Sequence, residues 1–201
     1  MHVPVLIQDQ SIRLLWRNYL LIFIMENKIN ERTKAIIPVH MQGLPCDMGE
    51  LMDNTKKHNL KVIEDSTEAL GTRYTEGSLA GKYAGTIGDF GAFSFNGNKI
   101  ITGSSGGMFL TDDKEAAMKV KKWSTQSREN APWYQHEEVG YNYRMSNVVA
   151  GVIRGQYKYL EEHIERKKEL YERYREGFRD LPVKMNPIVD ETEPNYWLSA
   201  M

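Results

Sequence analysis

The order of apolar and polar positions predicts a strand, a helix and a second strand in the early part of the chain. Residues 35–39 (AIIPV) are a short apolar run that is typical of a buried strand. Asp47 can then cap a helix. Residues 60–63 (LKVI) predict the second strand, and Glu64 and Asp65 stand at its carboxyl end. A βαβ unit of this length indicates a mainly parallel sheet in an α/β domain.

Further along the chain, glycine-rich turns separate two short strands from two helices. Residues 71–91 are rich in glycine and predict an irregular loop, whereas residues 90–95 and 108–111 are apolar runs that predict paired strands. A helix is predicted from Asp112-Asp113 to about residue 123. Apolar residues at intervals of three and four predict one long helix over residues 147–180. Its apolar stripe consists of Tyr157, Leu160, Ile164, Tyr171, Tyr174, Phe178 and Leu181. The first four of these are expected to be buried, and the charged residues of the other face are expected to be exposed.

The two ends of the chain give weaker patterns. Residues 1–25 contain three apolar clusters that follow neither helical nor strand periodicity. Residues 195–201 (NYWLSAM) predict the start of a further strand. The middle of the chain therefore carries most of the structural signal.

Composition narrows the class of protein without identifying it. The 201 residues include 26 Lys and Arg against 27 Asp and Glu, so charge gives no support for binding to nucleic acid or to an anionic membrane. The longest apolar run, residues 19–25, is far shorter than the roughly 20 residues of a membrane-spanning helix. Cys46 is the only cysteine, which excludes an internal disulfide and favours a reducing, cytoplasmic compartment.

Two acidic residues stand where an α/β sheet binds its ligands. Asp65 and Glu68 follow the second predicted strand, and ligands of parallel sheets bind in the crevice at the carboxyl ends of the strands. A carboxylate there can meet a cofactor. The alternative is structural, since an acidic residue after a strand commonly caps the helix that follows.

Lys99 is the candidate nucleophile. It is flanked by apolar residues and glycines rather than by other charges, so it can be partly buried, and a desolvated amine attacks carbonyl groups. Ser94 and the nearby glycines can donate to a phosphate. The alternative is a surface lysine in a turn.

Several other kinds of site lack their sequence patterns. No Gly-rich loop ends in GK[ST] and no GxGxxG opens a helix, which removes the main support for nucleotide hydrolysis and for Rossmann dinucleotide binding. The histidines are scattered, so no metal site is predicted. His40, at a strand end, is expected to pack, and Cys46 is expected to be a small buried thiol.

Four stretches together resemble the DegT/DnrJ/EryC1/StrS family of nucleotide-sugar aminotransferases. They are residues 35–43, which begin AIIPVH, residues 62–71, which begin VIED, residues 88–99, which begin GDFG, and residues 140–147 (GYNYRMSN). The order and spacing of these stretches are family-like over about residues 34–199. The resemblance implies part of a fold-type-I, aspartate aminotransferase-like large domain, followed by a long helix that leads to a small domain.

The resemblance implies a role for each of five residues. Lys99 matches the lysine that forms a Schiff base with pyridoxal phosphate and then moves the proton between cofactor and substrate. Asp65 matches the carboxylate that pairs with the pyridine nitrogen. Ser94 matches a phosphate ligand, and Asn142 matches an asparagine that reaches the cofactor of the neighbouring subunit, which implies a homodimer. Glu68 stands where many members have a glutamine near the phenolic oxygen of the cofactor.

The resemblance also implies a reaction. Residues 95–102 (FNGNKIIT) and 125–129 (TQSRE) look most like the branch that aminates C4 of UDP-linked 4-keto-6-deoxy sugars, with glutamate as the expected amino donor, for surface polysaccharide precursors. A relative acting on another keto sugar, such as one on a GDP-perosamine or legionaminate route, is the alternative within enzymes. A module that folds or dimerises without catalysis is the alternative outside them.

We expect three segments. Residues 1–30 do not resemble the family, residues 31–147 resemble part of its cofactor-binding large domain, and residues 148–201 resemble the long helix and the start of the small domain. Family members carry a further N-terminal phosphate loop and stacking aromatic residue that these segments lack. The sequence therefore predicts a truncated or frame-shifted chain that does not catalyse transamination by itself.

Overall fold

A four-stranded sheet organises residues 26–201, the part of the chain that the computed structural model describes. The strands are β1 (Ala35–Ile36), β2 (Lys61–Asp65), β3 (Arg73–Tyr74), β4 (Phe90–Ser94), β5 (Gly107–Leu110) and β6 (Thr192–Glu193). The α-helices are α1 (Met48–Lys57), α2 (Lys114–Ser124), α3 (Asn147–Tyr157) and α4 (Leu160–Gly177), and short 3₁₀ turns occupy Met41–Gly43 and Gly77–Leu79.

The sheet is mainly parallel, as the sequence predicts. Its order is β1-β2-β4-β5, with β1, β2 and β4 parallel and β5 antiparallel to β4. Helix α1 connects β1 to β2 and completes the predicted βαβ unit. Strands β3 and β6 pair with each other in a separate two-stranded antiparallel ribbon, which brings residues 192–193 next to residues 73–74.

Two of the predicted helix caps are confirmed by their hydrogen bonds. The Asp47 side chain accepts a hydrogen bond from the Glu50 backbone N–H at 3.2 Å and begins α1. Asp113 accepts from the N–H groups of Glu115 and Ala116 and begins α2. A side chain that satisfies these N–H groups stabilises a helix by about 1 kcal/mol.

The buried apolar side chains form two clusters. One lies between α1 and the sheet and contains Ile36, Met48, Leu51, Val62 and Tyr74. The other joins the end of β4 to helices α3 and α4 and contains Phe93, Phe95, Ile101, Ile153 and Leu160. The second cluster holds the loop that carries Lys99 against the two helices, since Phe95 and Ile101 flank that loop.

The long predicted helix is in fact two helices. A turn at residues 158–159 separates α3 from α4, so the prediction of one continuous helix over residues 147–180 is wrong. Gln156 on α3 contacts the backbone of Thr102, and His163 on α4 contacts the Ile100 carbonyl at 3.2 Å. Each helix is therefore anchored separately on the same loop.

The break also changes which members of the stripe are buried. Leu160 and Tyr171 are buried as predicted, whereas Tyr157, at the end of α3, is 60 % exposed. Tyr174 and Leu181 are exposed as well. Tyr157 was predicted to be buried, and that prediction is wrong because Tyr157 ends α3 and does not continue the buried side of α4.

Two further outcomes concern the ends of the chain. Residues 195–201 form no strand; their backbone is irregular and β6 ends just before them, so that prediction is wrong. The apolar clusters of residues 1–25, including the run at 19–25, lie outside the described residues. Within residues 26–201, no helix combines the length and apolar character needed to cross a membrane.

Candidate active site

Two of the predicted site residues lie on one face of the sheet at its carboxyl edge. Asp65 ends β2 and Ser94 ends β4, and the register pairs Asp65 with Ala92. Paired residues of neighbouring strands share a face, and so do residues two apart along one strand. Ser94 therefore shares its face with Asp65, and the strand spacing and rise place their Cα atoms roughly 8 Å apart.

Asp65 is half-buried and its carboxylate makes one local contact. The Thr67 backbone N–H donates to Oδ1 at 3.1 Å. The structural alternative required a helix after this residue, but the following residues form turns. The carboxylate thus stabilises a tight turn and retains a second oxygen for another donor.

Ser94 begins the loop that carries the lysine. Its hydroxyl oxygen accepts the Asn96 backbone N–H at 3.2 Å, which turns the chain immediately after β4. The Phe95 N–H donates to the Gly106 carbonyl and the Gly103 N–H donates to the Phe95 carbonyl, closing residues 95–106 into a compact loop. A hydroxyl and a run of turn amides at one place can meet a phosphate.

Lys99 is not a surface lysine. Its side chain is only 13 % exposed. The Nζ atom lies 4.0 Å from Oε1 of Glu68 and 4.4 Å from the centroid of the Trp197 ring. The structure therefore brings Lys99 to the residues just after β2, three positions from Asp65, while a single pocket shared by Lys99 and Asp65 stays a prediction.

Glu68 lies between the lysine and the turn after β1. Its Oε2 atom accepts the Gln42 backbone N–H at 2.6 Å, and Gln42 adopts a left-handed backbone with φ of 59° to present it. The other oxygen faces Lys99. A carboxylate at this position is thus used as an acceptor on one side and a counter-charge on the other.

Asn142 is not brought to the other four residues within this single chain. It is exposed and forms an isolated antiparallel bridge with Thr125. Among residues 26–201, no hydrogen bond or ion pair joins Asn142 to Lys99, Asp65, Glu68 or Ser94. Its predicted role requires a neighbouring subunit and stays a prediction.

A buried network on the opposite face of β2 was missed by the sequence analysis. Glu64 is fully buried and accepts hydrogen bonds from the backbone N–H groups of Gly85, Ile87 and Gly88 at 2.6–2.8 Å. Its Oε2 atom also lies 2.9 Å from Nε2 of His40. Burial alone would raise the pKa of Glu64, but the hydrogen bonds from His40, Gly88 and Gly85 hold that pKa below its ordinary value.

His40 is buried as expected, and its hydrogen bonds define its protonation pattern. The Cys46 backbone N–H donates to Nδ1 at 3.0 Å, so the ring proton lies on Nε2 and points at Glu64. The Cys46 thiol was expected to be buried but is half-buried, and it donates to the Val39 carbonyl at 3.2 Å. The described residues contain no group of His, Cys, Asp and Glu side chains that could hold a metal ion.

The second missed feature is the segment 195–197. Asn195 is fully buried, and its side-chain NH₂ group donates to the carbonyls of Glu68 and Leu70. The Trp197 indole N–H donates to the Asn98 carbonyl at 2.7 Å, next to the lysine. Only the fold reveals these contacts, because the sequence separates Asn98 from Trp197 by 99 residues.

Comparison with known proteins matches most of the chain to one family. Residues 22–201 match the sequence profile of the DegT/DnrJ/EryC1/StrS aminotransferase family. The match begins inside the 1–30 segment, which was predicted not to resemble the family; the segment boundaries themselves stay predictions.

Individual relatives agree with the profile. EpsN of Bacillus subtilis (strain 168), named as a pyridoxal phosphate-dependent aminotransferase, is 41 % identical over 169 residues, which are 84 % of this chain and 42 % of EpsN. GDP-perosamine synthase of Escherichia coli O157:H7 is 38 % identical over 177 residues, covering 88 % of this chain and 47 % of the synthase. The chain thus spans about half the length of the curated relatives it matches.

A solved structure gives the same result for the fold. PseC of Helicobacter pylori, described as an aminotransferase involved in the biosynthesis of pseudoaminic acid, superposes with a TM-score of 0.78 at 27 % identity. The superposition covers 87 % of this chain and 47 % of PseC. The predicted architecture, part of an aspartate aminotransferase-like α/β domain, is confirmed.

Proposed function

Because this chain belongs to the DegT/DnrJ/EryC1/StrS aminotransferase family, we propose that Lys99, Asp65 and Ser94 are its pyridoxal phosphate site. The observation that carries the proposal is the position of Lys99. Its amine is nearly buried beside the carboxyl edge of the parallel sheet, where α/β proteins bind their ligands. A lysine in an ordinary surface turn has neither the burial nor the partners.

The groups present suit the groups of this cofactor. A pyridinium nitrogen needs an anionic acceptor, and Asp65 has an oxygen beyond the one that the Thr67 N–H occupies. A phosphate needs hydroxyl and backbone donors, and the turn that begins at Ser94 supplies both kinds. Asp65 and Ser94 share a face, at a separation on the scale of a substituted pyridine ring.

Each residue then has one task. Lys99 would supply the amine that holds the cofactor through its carbonyl carbon, and the same amine would move a proton at the substrate carbon. Asp65 would accept a hydrogen bond from the protonated ring nitrogen, and pyridoxal phosphate would supply there an electron sink for carbanion chemistry. Ser94 would bind the phosphate, and Glu68 lies beside the lysine as its counter-charge.

The proposed reaction moves an amino group from glutamate to the C4 keto group of a nucleotide-linked 4-keto-6-deoxy sugar. The proposed product is a precursor of surface polysaccharides, and Asn142 would complete the site of a neighbouring subunit in a homodimer. A cytoplasmic location suits nucleotide-sugar substrates. Sequence identity to GDP-perosamine synthase favours a GDP-linked 4-keto sugar as a second candidate to the UDP-linked one.

The first experiment tests the cofactor site. The purified chain is titrated with pyridoxal phosphate while the visible absorbance band of the Schiff base is followed. We expect saturable binding that is abolished by Lys99→Ala and unchanged by Lys184→Ala, which removes an exposed lysine elsewhere. Equal, non-saturable reaction of all three proteins would refute the proposal.

The second experiment tests the substrate and the non-catalytic alternative. The loaded chain is incubated with glutamate and either a UDP-linked or a GDP-linked 4-keto-6-deoxy sugar, and the amino sugar is quantified by mass spectrometry. Faster turnover of the UDP-linked sugar supports the proposed substrate, and the reverse supports the second candidate. Specific cofactor binding without any turnover would favour the non-catalytic module predicted for a chain acting alone.

A further inference from the structure

We infer that Trp197 is a positioning residue of this site, whose indole face holds the Lys99 amine where it can meet a carbonyl carbon. The inference rests on the proposed function, because it concerns the same lysine. It adds to the site a residue from the far end of the described chain.

The contact between Lys99 and Trp197 is close and shielded from water. The amine lies 4.4 Å from the ring centroid, well within the range of a cation–π interaction. Trp197 is only 5 % exposed and the Lys99 side chain 13 %, so water screens the attraction weakly. Cation–π contacts gain strength when they are desolvated.

The indole is itself rigidly held. Its ring N–H donates to the Asn98 carbonyl at 2.7 Å and its backbone N–H donates to the Asn195 side chain at 3.0 Å. Asn195 in turn is fastened to the residues just after β2, through hydrogen bonds to Glu68, Leu70 and Thr72. The indole that contacts the Lys99 amine is therefore fixed in position relative to the end of β2.

Glu68 competes with the Trp197 indole for the Lys99 amine. Its carboxylate lies 4.0 Å from the amine, longer than a hydrogen bond, so the lysine is drawn toward Glu68 but does not bond to it. Without the indole, the flexible lysine can close on the carboxylate and form a tight ion pair. An amine bound in that way is displaced from the position over the indole, so it no longer lies where a carbonyl carbon can reach it.

The first readout needs no cofactor. Protons that lie over an indole face are shifted upfield in the NMR spectrum, so the Lys99 ε-methylene resonance, identified by its absence from Lys99→Met, should be upfield of the other lysines. We expect Trp197→Leu to abolish that shift and Trp197→Phe, which keeps an aromatic face without the N–H donor, to retain part of it. An unshifted resonance in the parent chain, or one that Trp197→Leu leaves in place, would overturn the inference.

A matched control is available in the same chain. Lys119 lies over the Trp123 ring at 5.3 Å, at an exposed position on α2. Trp123→Leu should move the Lys119 resonance and leave that of Lys99 unchanged. A Lys99 resonance that responds equally to both substitutions would show a general loss of fold and would overturn the inference.

The second readout connects position to chemistry. Trp197→Leu should slow the capture of pyridoxal phosphate by Lys99 about tenfold, and adding Glu68→Gln should restore part of the rate, because the competing carboxylate is gone. A double variant no faster than Trp197→Leu would contradict the proposed competition. If the parent chain captures no cofactor, the proposed function fails, while the NMR shifts still decide whether Trp197 positions the lysine.

Discussion

Glu64 and Asp65 are consecutive carboxylates on β2 whose side chains leave opposite faces of the sheet. Glu64 is fully buried and accepts from three backbone N–H groups and the His40 ring. Asp65 is half-buried and accepts from one N–H, that of Thr67. The strand alternation alone separates the two environments.

The difference shows which carboxylate can serve a ligand. A carboxylate has about four acceptor positions, and Glu64 has all of them engaged with the protein. Its role is to hold the loop at residues 85–88 and the His40 ring in place. Asp65 has open positions at the edge where ligands bind, so it can accept a donor that the chain does not provide.

The largest expected effect comes from removing the buried carboxylate. Glu64→Leu strands the His40 ring and three backbone N–H groups without acceptors and should lower the free energy of unfolding by about 3–5 kcal/mol. Urea denaturation followed by circular dichroism measures the change. A loss below about 1 kcal/mol would mean that water or a rearranged loop satisfies these donors, and the contrast with Asp65 would disappear.

A backbone substitution beside the site comes next. Gly43 has φ of +85°, and a Cβ atom there would overlap the Asn195 side-chain oxygen. Gly43→Ala should cost about 2 kcal/mol of unfolding free energy and loosen the segment that carries Trp197. Gly97→Ala is the control, since no atom lies within 4 Å of a Cβ built there. Equal stability of the two variants would refute the proposed close approach.

Lowering the pH should reveal how much the ionised Glu64 carboxylate contributes to stability. The folded pKa of Glu64 lies below its ordinary value of 4.5, so its stabilisation is complete above that pH and is lost as the pH falls through the folded pKa. We expect the melting temperature of the parent chain to fall more steeply between pH 5 and 3 than that of Glu64→Gln. Parallel curves for the two proteins would contradict the direction of this pKa shift.

The smallest effect on stability should come from Asp65. Asp65→Asn keeps an oxygen for the Thr67 N–H, so the free energy of unfolding should change by less than about 0.5 kcal/mol. The affinity for pyridoxal phosphate should fall about 10- to 100-fold, because the charge-assisted bond to the ring nitrogen is lost. Calorimetry and cofactor titration measure the two quantities. If Asp65→Asn destabilised the fold and left the affinity for pyridoxal phosphate unchanged, Asp65 would be a structural carboxylate and the proposed contrast with Glu64 would be wrong.

Local signals in the sequence predicted much of the fold. The caps Asp47 and Asp113 accept from N–H groups two or three positions away. The pairing of residues 90–95 with 108–111 follows from two apolar runs joined by one glycine-rich turn. The break between α3 and α4 has no such local signal, because the apolar spacing continues across it. That break depends on Gln156 and His163 reaching the lysine loop, which is more than 50 residues away in sequence.

Some residues of the candidate site could likewise be predicted from the sequence, and others could not. A strand end followed by acidic residues, and a lysine among glycines, were visible as candidates, and the family resemblance selected among them. Glu64 was passed over because the sequence gives no way to choose between two adjacent carboxylates until the register of the sheet is known. Trp197 was passed over because nothing local to it indicates a lysine.

The contact of Trp197 with Lys99 also sets an order of events during synthesis. A ribosome adds about 5–20 residues per second, so Lys99 emerges roughly 5–20 s before Trp197. Strands β1, β2, β4 and β5 can pair during that interval, since all of their residues precede the two helices. The nascent sheet therefore carries its lysine beside Glu68 with no indole over it, and the lysine is seated only when the ribbon of β3 and β6 closes.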